Sequence, residues 1–175
     1  TPKILDVLKE NDVPAAFFVT KSYIKSDADL VKRMVAEGHV VGNHSVTHPD
    51  MTTKSDAEIA DEINGCSDYF KEVTGQEMPH FFRPPEGAYS IRTLEKTKEL
   101  GYKTIFWSFA YKDWLVDAQP GKQAAYDNVM KYSHNGCIML LHAVSQSNTE
   151  ALDSIIKDLK AQGYTFKSLY DLPQW

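Results

Sequence analysis

Along this chain, stretches carrying a helical apolar stripe alternate with short apolar runs, and turn residues separate the two. The runs at Phe17-Phe18-Val19, Val40-Val41, Phe81-Phe82, Thr104 to Trp107, Cys137 to Leu141 and Tyr164 to Phe166 read as strands. Helical patterns fill the intervals, for example Leu30, Val31, Met34 and Val35, then Ile59, Ile63, Tyr69, Phe70 and Val73. Further helices are expected over 91–100, 123–132 and 148–161. Thr1-Pro2 opens the first helix with a capping hydroxyl and a proline at the first helical position. Asp50 to Thr53 offers caps for a longer helix, and Gly38, Gly75, Gly101 and Gly163 stand where helices stop. Strand and helix in strict alternation, with short connections, mean parallel strands joined by right-handed crossovers. The expected fold class is therefore α/β, organised as one domain over 1–175. The pattern opens on a helix and holds about six strands, where a closed barrel takes about seven or eight. A (β/α) barrel lacking its first strand is the expectation.

Composition narrows the partners. The 24 acidic residues outnumber the 19 basic ones, for a formal net charge of −5, and no basic stripe stands out. Nucleic acid and anionic membrane surfaces are thereby disfavoured. No apolar run approaches the roughly 18 residues of a membrane helix, and no signal peptide is visible. Cys66 falls in a helical pattern and Cys137 opens an apolar run. Both are expected to be free, semi-buried thiols.

The polar residues with chemical potential all follow predicted strands. They are His44 and His48, Arg83, Asp113 and His142. In a (β/α) barrel the functional face lies at the strands' C-terminal ends. Two neutral imidazoles suit zinc or a similar divalent ion, although two loop histidines also serve as backbone caps. Pro49 disfavours helical geometry at His48, so a loop is expected there. Arg83 before Pro84-Pro85 is either a surface cation beside a rigid turn or a permanent charge that holds a carboxylate. The prolines set the following backbone so that the N–H of Glu86 or Gly87 could face an oxyanion. Asp113 is a turn residue or the group that orients a histidine. Trp114 is a half-buried anchor or a sugar-stacking face. His142, after Met139-Leu140-Leu141, is a core-edge histidine or a general acid or base.

His44-Ser45-Val46-Thr47-His48-Pro49 resembles the H-[ST]-x-x-H-P metal motif of the polysaccharide deacetylases, carbohydrate esterase family four. Arg83-Pro84-Pro85, Asp113-Trp114 and Leu140-Leu141-His142 resemble the family's third, fourth and fifth motifs, in order. Within the family, 42–53, 102–114 and 142–172 are similar to the delta-lactam-biosynthetic, or muramic acid, de-N-acetylases of spore formers. So is Glu86, where most members carry an aromatic residue. The resemblance implies a distorted, about seven-stranded barrel and a divalent metal, usually zinc, with His44 and His48 as ligands. It implies that His142, oriented by Asp113, protonates the departing amine. A backbone N–H after Pro85 would meet the oxyanion. Leu140 would line the acetyl pocket and Trp114 the groove wall.

The family's first motif, T-F-D-[DN]-G, supplies the catalytic base and has no counterpart in the sequence. In the family the arginine at the position of Arg83 holds that base, and Asp6 and Asp12 are poor substitutes for it. The 175 residues are therefore expected to be weakly active or inactive. The implied activity is metal-dependent de-N-acetylation of peptidoglycan, at N-acetylmuramic acid of spore cortex. The alternatives are a deacetylase acting on N-acetylglucosamine or chitin, and a non-catalytic glycan-binding module whose aromatics include Trp107, Tyr111 and Trp114. A cell-wall substrate implies an extracytoplasmic location. A monomer is expected.

Overall fold

The structure, a computed structural model, describes residues 1–173. Its packing separates into two compact units. Ala15–Phe106, with the stretch after Lys167, forms a sheet unit; Thr1–Pro14 with Trp107–Lys167 forms a helical unit.

In the sheet unit, β1 (Ala16–Val19), β2 (Val40–Asn43), β3 (Phe81–Phe82) and β4 (Lys103–Thr104) lie side by side in chain order. All pairs are parallel, with Phe17 beside Val41, Asn43 beside Phe82, and Phe82 beside Thr104. This is the α/β class the alternation predicts. Among the described residues the sheet is open, with four strands. The crossovers run through α2 (Lys21–Ser26), α3 (Ala28–Ala36), α4 (Asp56–Thr74) and α5 (Ile91–Glu99). The core packs Ile59 and Ile63 of α4 against Phe82, Met51 and Tyr102.

Two helix boundaries depart from expectation for local reasons. The Asp50 carboxylate accepts from Thr52 N and Oγ1 at 2.9 and 2.7 Å, closing a separate 3₁₀ turn over Met51–Thr53. α4 starts instead at a capping box, where Ser55 Oγ accepts from Glu58 N and Glu58 accepts from Ser55 N. α2 escaped the pattern because six residues are too few for a stripe. Thr20 caps it, accepting from Tyr23 N, and Ile24 is its buried anchor.

The helical unit joins α1 (Pro2–Glu10), α6 (Lys122–Tyr132) and α7 (Gln146–Ala161). Ala125 and Val129 of α6 pack against Ala151, Ile155 and Leu159 of α7. The expected strand over Cys137–Leu141 is reduced to one parallel bridge, Phe109 with Met139. It is flanked by Ser108 N donating to Ile138 O and Leu140 N donating to Phe109 O. Tyr164 to Phe166 is assigned to no strand among the described residues. Its apolar residues mark burial against the α6–α7 core rather than pairing. Both thiols are free, Cys66 buried and Cys137 partly so. Among the described residues no helix is long and apolar enough to cross a membrane.

Candidate functional site

In the sheet unit, β2 delivers His44 directly, and the loop after it is closely held. Gly42 lets the strand accept the ring of Phe18: a Cβ there would lie 2.6 Å from Phe18 Cε1 and 3.2 Å from the Phe81 carbonyl oxygen. Asn43 is fully buried. Its amide donates to Ile63 O at 2.8 Å and its side-chain oxygen accepts from Ser45 N at 2.9 Å. Ser45 and His48 both take left-handed backbone, with φ of 71° and 59°. Non-glycine residues hold that conformation only where the surroundings enforce it. Here Glu62, on α4, accepts from Val46 N, Thr47 N and Thr47 Oγ1 at 2.8, 2.8 and 2.6 Å. Gly65, one turn on, lets α4 approach, since a Cβ there would meet Val46 at 3.0 Å. The result is the loop anticipated before Pro49, with the His44 and His48 rings edge to face at 4.8 Å.

The tautomer of His44 follows from its partner. Nδ1 lies 2.7 Å from the Arg83 carbonyl oxygen, which can only accept. Nδ1 therefore carries the hydrogen, and the neutral ring has its lone pair on Nε2, the arrangement that suits a metal ligand. The Arg83 guanidinium lies over the Phe18 ring at 4.1 Å. Burial lowers its pKa to about 10, so it remains a cation at neutral pH. Arg83 N donates to Asn43 O, and the chain then enters the turn Pro85–Gly87. Gly87 N donates to Pro84 O, which removes it as an oxyanion donor. Glu86 has φ of 56°, and its N–H has no intramolecular acceptor among the described residues. Of the two amides considered, Glu86 keeps its donor.

In the helical unit, Asp113 and His142 each follow one member of the bridged pair of segments. Asp113 is fully buried. Its Oδ1 meets His142 Nδ1 at 2.6 Å, and its Oδ2 accepts the His142 backbone N–H at 2.7 Å. Burial would raise the Asp113 pKa. The bonds from the His142 side chain and backbone, with that from Asn148, outweigh it and hold the carboxyl below its ordinary range. Trp114, half exposed, stands edge to face with the His142 ring at 5.4 Å. Leu140 is buried two residues before His142.

The structure thus brings His44, His48 and the Arg83–Glu86 turn together in one unit, and Asp113, Trp114 and His142 in the other. Several residues that shape these clusters carry no motif signal. Glu62 is one. Asn148 donates to Asp113 Oδ2 at 2.6 Å. Gln119 bonds Asp113 O and accepts from Ser145 Oγ and Ser147 N. For a metal, the described residues provide no group of three or more His, Cys, Asp or Glu side chains. His44 and His48 fit as two imidazole donors of a larger set.

A family model for polysaccharide deacetylases matches residues 1–105. The chain is 58% identical over 172 residues to an uncharacterized 30.6 kDa protein of Geobacillus stearothermophilus. It is 51% identical over 172 residues to the peptidoglycan-N-acetylmuramic acid deacetylase PdaA of Bacillus subtilis. Both alignments cover 98% of this chain, which spans 65% of each relative's length. The solved structure of Bacillus subtilis PdaA, a family 4 carbohydrate esterase, superposes with a TM-score of 0.95 at 50% identity, over 98% of this chain and 74% of that one.

Proposed function

The chain belongs to the polysaccharide deacetylase family, and from that premise we propose that it hydrolyses the N-acetyl group of N-acetylmuramic acid in peptidoglycan. Water adds to the acetyl carbon, the C–N bond breaks, and acetate and a free amine leave. The substrate class rests on similarity to PdaA. The chemistry rests on one observation: a buried carboxylate holds His142 Nδ1 at 2.6 Å, which leaves Nε2 as the position that exchanges a proton. That is the arrangement of an oriented general acid. His142 protonates the departing amine, and Asp113 orients it and stabilises its charged form. The Glu86 N–H, beyond the buried Pro85, hydrogen-bonds the oxygen that gains charge. Arg83 supplies a fixed positive charge for a carboxylate. Leu140 borders the acetyl methyl group and Trp114 the sugar face.

His44 and His48 are the proposed ligands of a divalent ion, zinc by donor type. When bound, such an ion polarises a carbonyl and makes water a better nucleophile. Because the first motif's base has no counterpart within the 175 residues, these residues alone are proposed to turn over slowly, by about 10²–10⁴-fold relative to a chain supplying one. A cell-wall substrate, spore cortex above all, goes with an extracytoplasmic location; fractionation of sporulating cells tests that placement.

Acetate release from purified peptidoglycan tests the activity. His142→Ala and His44→Ala are each expected to remove the measurable rate. Turnover unchanged in both variants would refute the proposal. Retained glycan binding with no acetate from the unmodified protein, even with zinc supplied, would favour a binding module on this scaffold.

A further inference from the structure

The proposed general acid is the visible end of a longer chain of hydrogen bonds. The Tyr111 hydroxyl donates to Asn148 Oδ1. Asn148 Nδ2 donates to Asp113 Oδ2 at 2.6 Å, and Asp113 Oδ1 meets His142 Nδ1 at 2.6 Å. The direction of each bond is dictated chemically. A carboxylate only accepts, so Asn148 must turn its NH₂ toward Asp113. Its oxygen then faces Tyr111, which must donate. Tyr111 can do so across the working range, because burial, with Asp113 nearby, pushes its pKa up to about 12. Asn148 is itself buried, and its NH₂ also lies 3.5 Å from His142 O. An asparagine serving only the helix would need none of these bonds: the start of α7 is already capped, with Ser145 Oγ accepting from Asn148 N.

We propose that Asn148, polarised by Tyr111, is a positioning residue that fixes the Asp113 carboxylate and tempers its basicity toward His142. This rests on the reading of His142 as the general acid. The titratable groups bearing on the imidazole within this unit are Asp113, in contact, and Tyr111, reached through Asn148. Withdrawing the Asn148 donor leaves Asp113 a stronger base, which favours the imidazolium. The His142 pKa should therefore rise.

The test is a ¹⁵N-histidine NMR titration of His142 in the protein and three variants. Asn148→Asp keeps the size of the side chain and its place in α7 but replaces the donor with a second carboxylate. Asn148→Ala removes it, and Tyr111→Phe removes only the polarising hydroxyl. The pKa should rise in the order Tyr111→Phe, Asn148→Ala, Asn148→Asp, by roughly half a unit to one unit for Asn148→Ala. In deacetylation assays kcat should fall and KM should hold, with the alkaline limb of the kcat–pH profile moving up by the same amount. An unmoved His142 pKa in both folded Asn148 variants would overturn the inference. If His142→Ala alone abolishes turnover in that case, the general-acid reading stands. If His142→Ala leaves turnover intact, that reading fails whatever the titration shows.

Discussion

Gly42→Ala is a one-carbon change whose effect can be worked from the packing. The added Cβ would sit 2.6 and 2.7 Å from two atoms of the Phe18 ring and 3.2 Å from the Phe81 carbonyl oxygen. Carbon atoms rest about 3.5–4.0 Å apart, so the ring must withdraw by about 1 Å. The Phe81 oxygen belongs to the neighbouring strand and cannot retreat as easily. Overpacking of this kind costs about 1–3 kcal/mol. Against it stands the stiffer unfolded chain of alanine, a gain of about 0.4–1 kcal/mol at a position with ordinary backbone angles. The clash wins, with a net loss of about 1–2 kcal/mol. For a chain of this size that lowers Tm by about 2–4 °C per kcal/mol. Urea denaturation measures it, and Phe18→Leu provides the control. In the double variant the two losses should fall short of additive by about 1 kcal/mol, because the smaller side chain makes room. Activity should fall too, since Arg83 lies on the Phe18 ring and its carbonyl fixes the His44 tautomer. An alanine variant as stable as the parent, or strict additivity with Phe18→Leu, would refute the packing argument.

Asp113→Asn should lower kcat by about 10²–10⁴-fold, because two donors already occupy the Oδ2 position and the new NH₂ must face His142 Nδ1, forcing the other tautomer. The pH dependence of stability should change as well. The depressed Asp113 pKa contributes stability at pH values above the ordinary 3.8, and that contribution is lost as pH falls through the lower folded value. The stability gap between parent and Asp113→Asn should therefore narrow in acid, as chemical denaturation from pH 7 to below about 4 would reveal; a gap that widens contradicts it. Glu62→Ala frees two backbone N–H groups of the histidine loop and should weaken zinc binding about 10-fold by calorimetry; unchanged affinity would mean the loop holds its shape without α4. Burial pushes the Cys66 thiol up to about 12, so iodoacetamide at pH 8 should label Cys137 and spare Cys66 until the protein is denatured.

Much of the fold was legible because its signals are local. Strand runs, helix stripes and stop glycines are read within a dozen residues, and His44 and Arg83 each follow directly on a strand. The Pro49 argument at His48 likewise depends on one neighbour. What the pattern missed depends on distance or on context. Glu62 reaches a loop 15 residues earlier, and Asn148 reaches Asp113 across 35. Neither bond leaves a periodic trace. α2 is too short for a stripe, and the apolar residues at Tyr164 and Phe166 record partial burial, which a strand and a packed loop share. The resemblance to the deacetylases named the residues of each cluster but not what holds them: the carboxylate beneath the histidine loop, and the amide behind the Asp113–His142 pair.

The proposed activity is removal of acetyl groups from N-acetylmuramic acid. The direct measurement is to incubate the protein with zinc and purified peptidoglycan, digest the glycan to disaccharides, and identify by mass spectrometry which amino sugar carries a free amine. Free amines are expected on muramic acid, accumulating slowly and absent with His142→Ala. Free amines confined to glucosamine, or none above the His142→Ala control, would contradict the proposal.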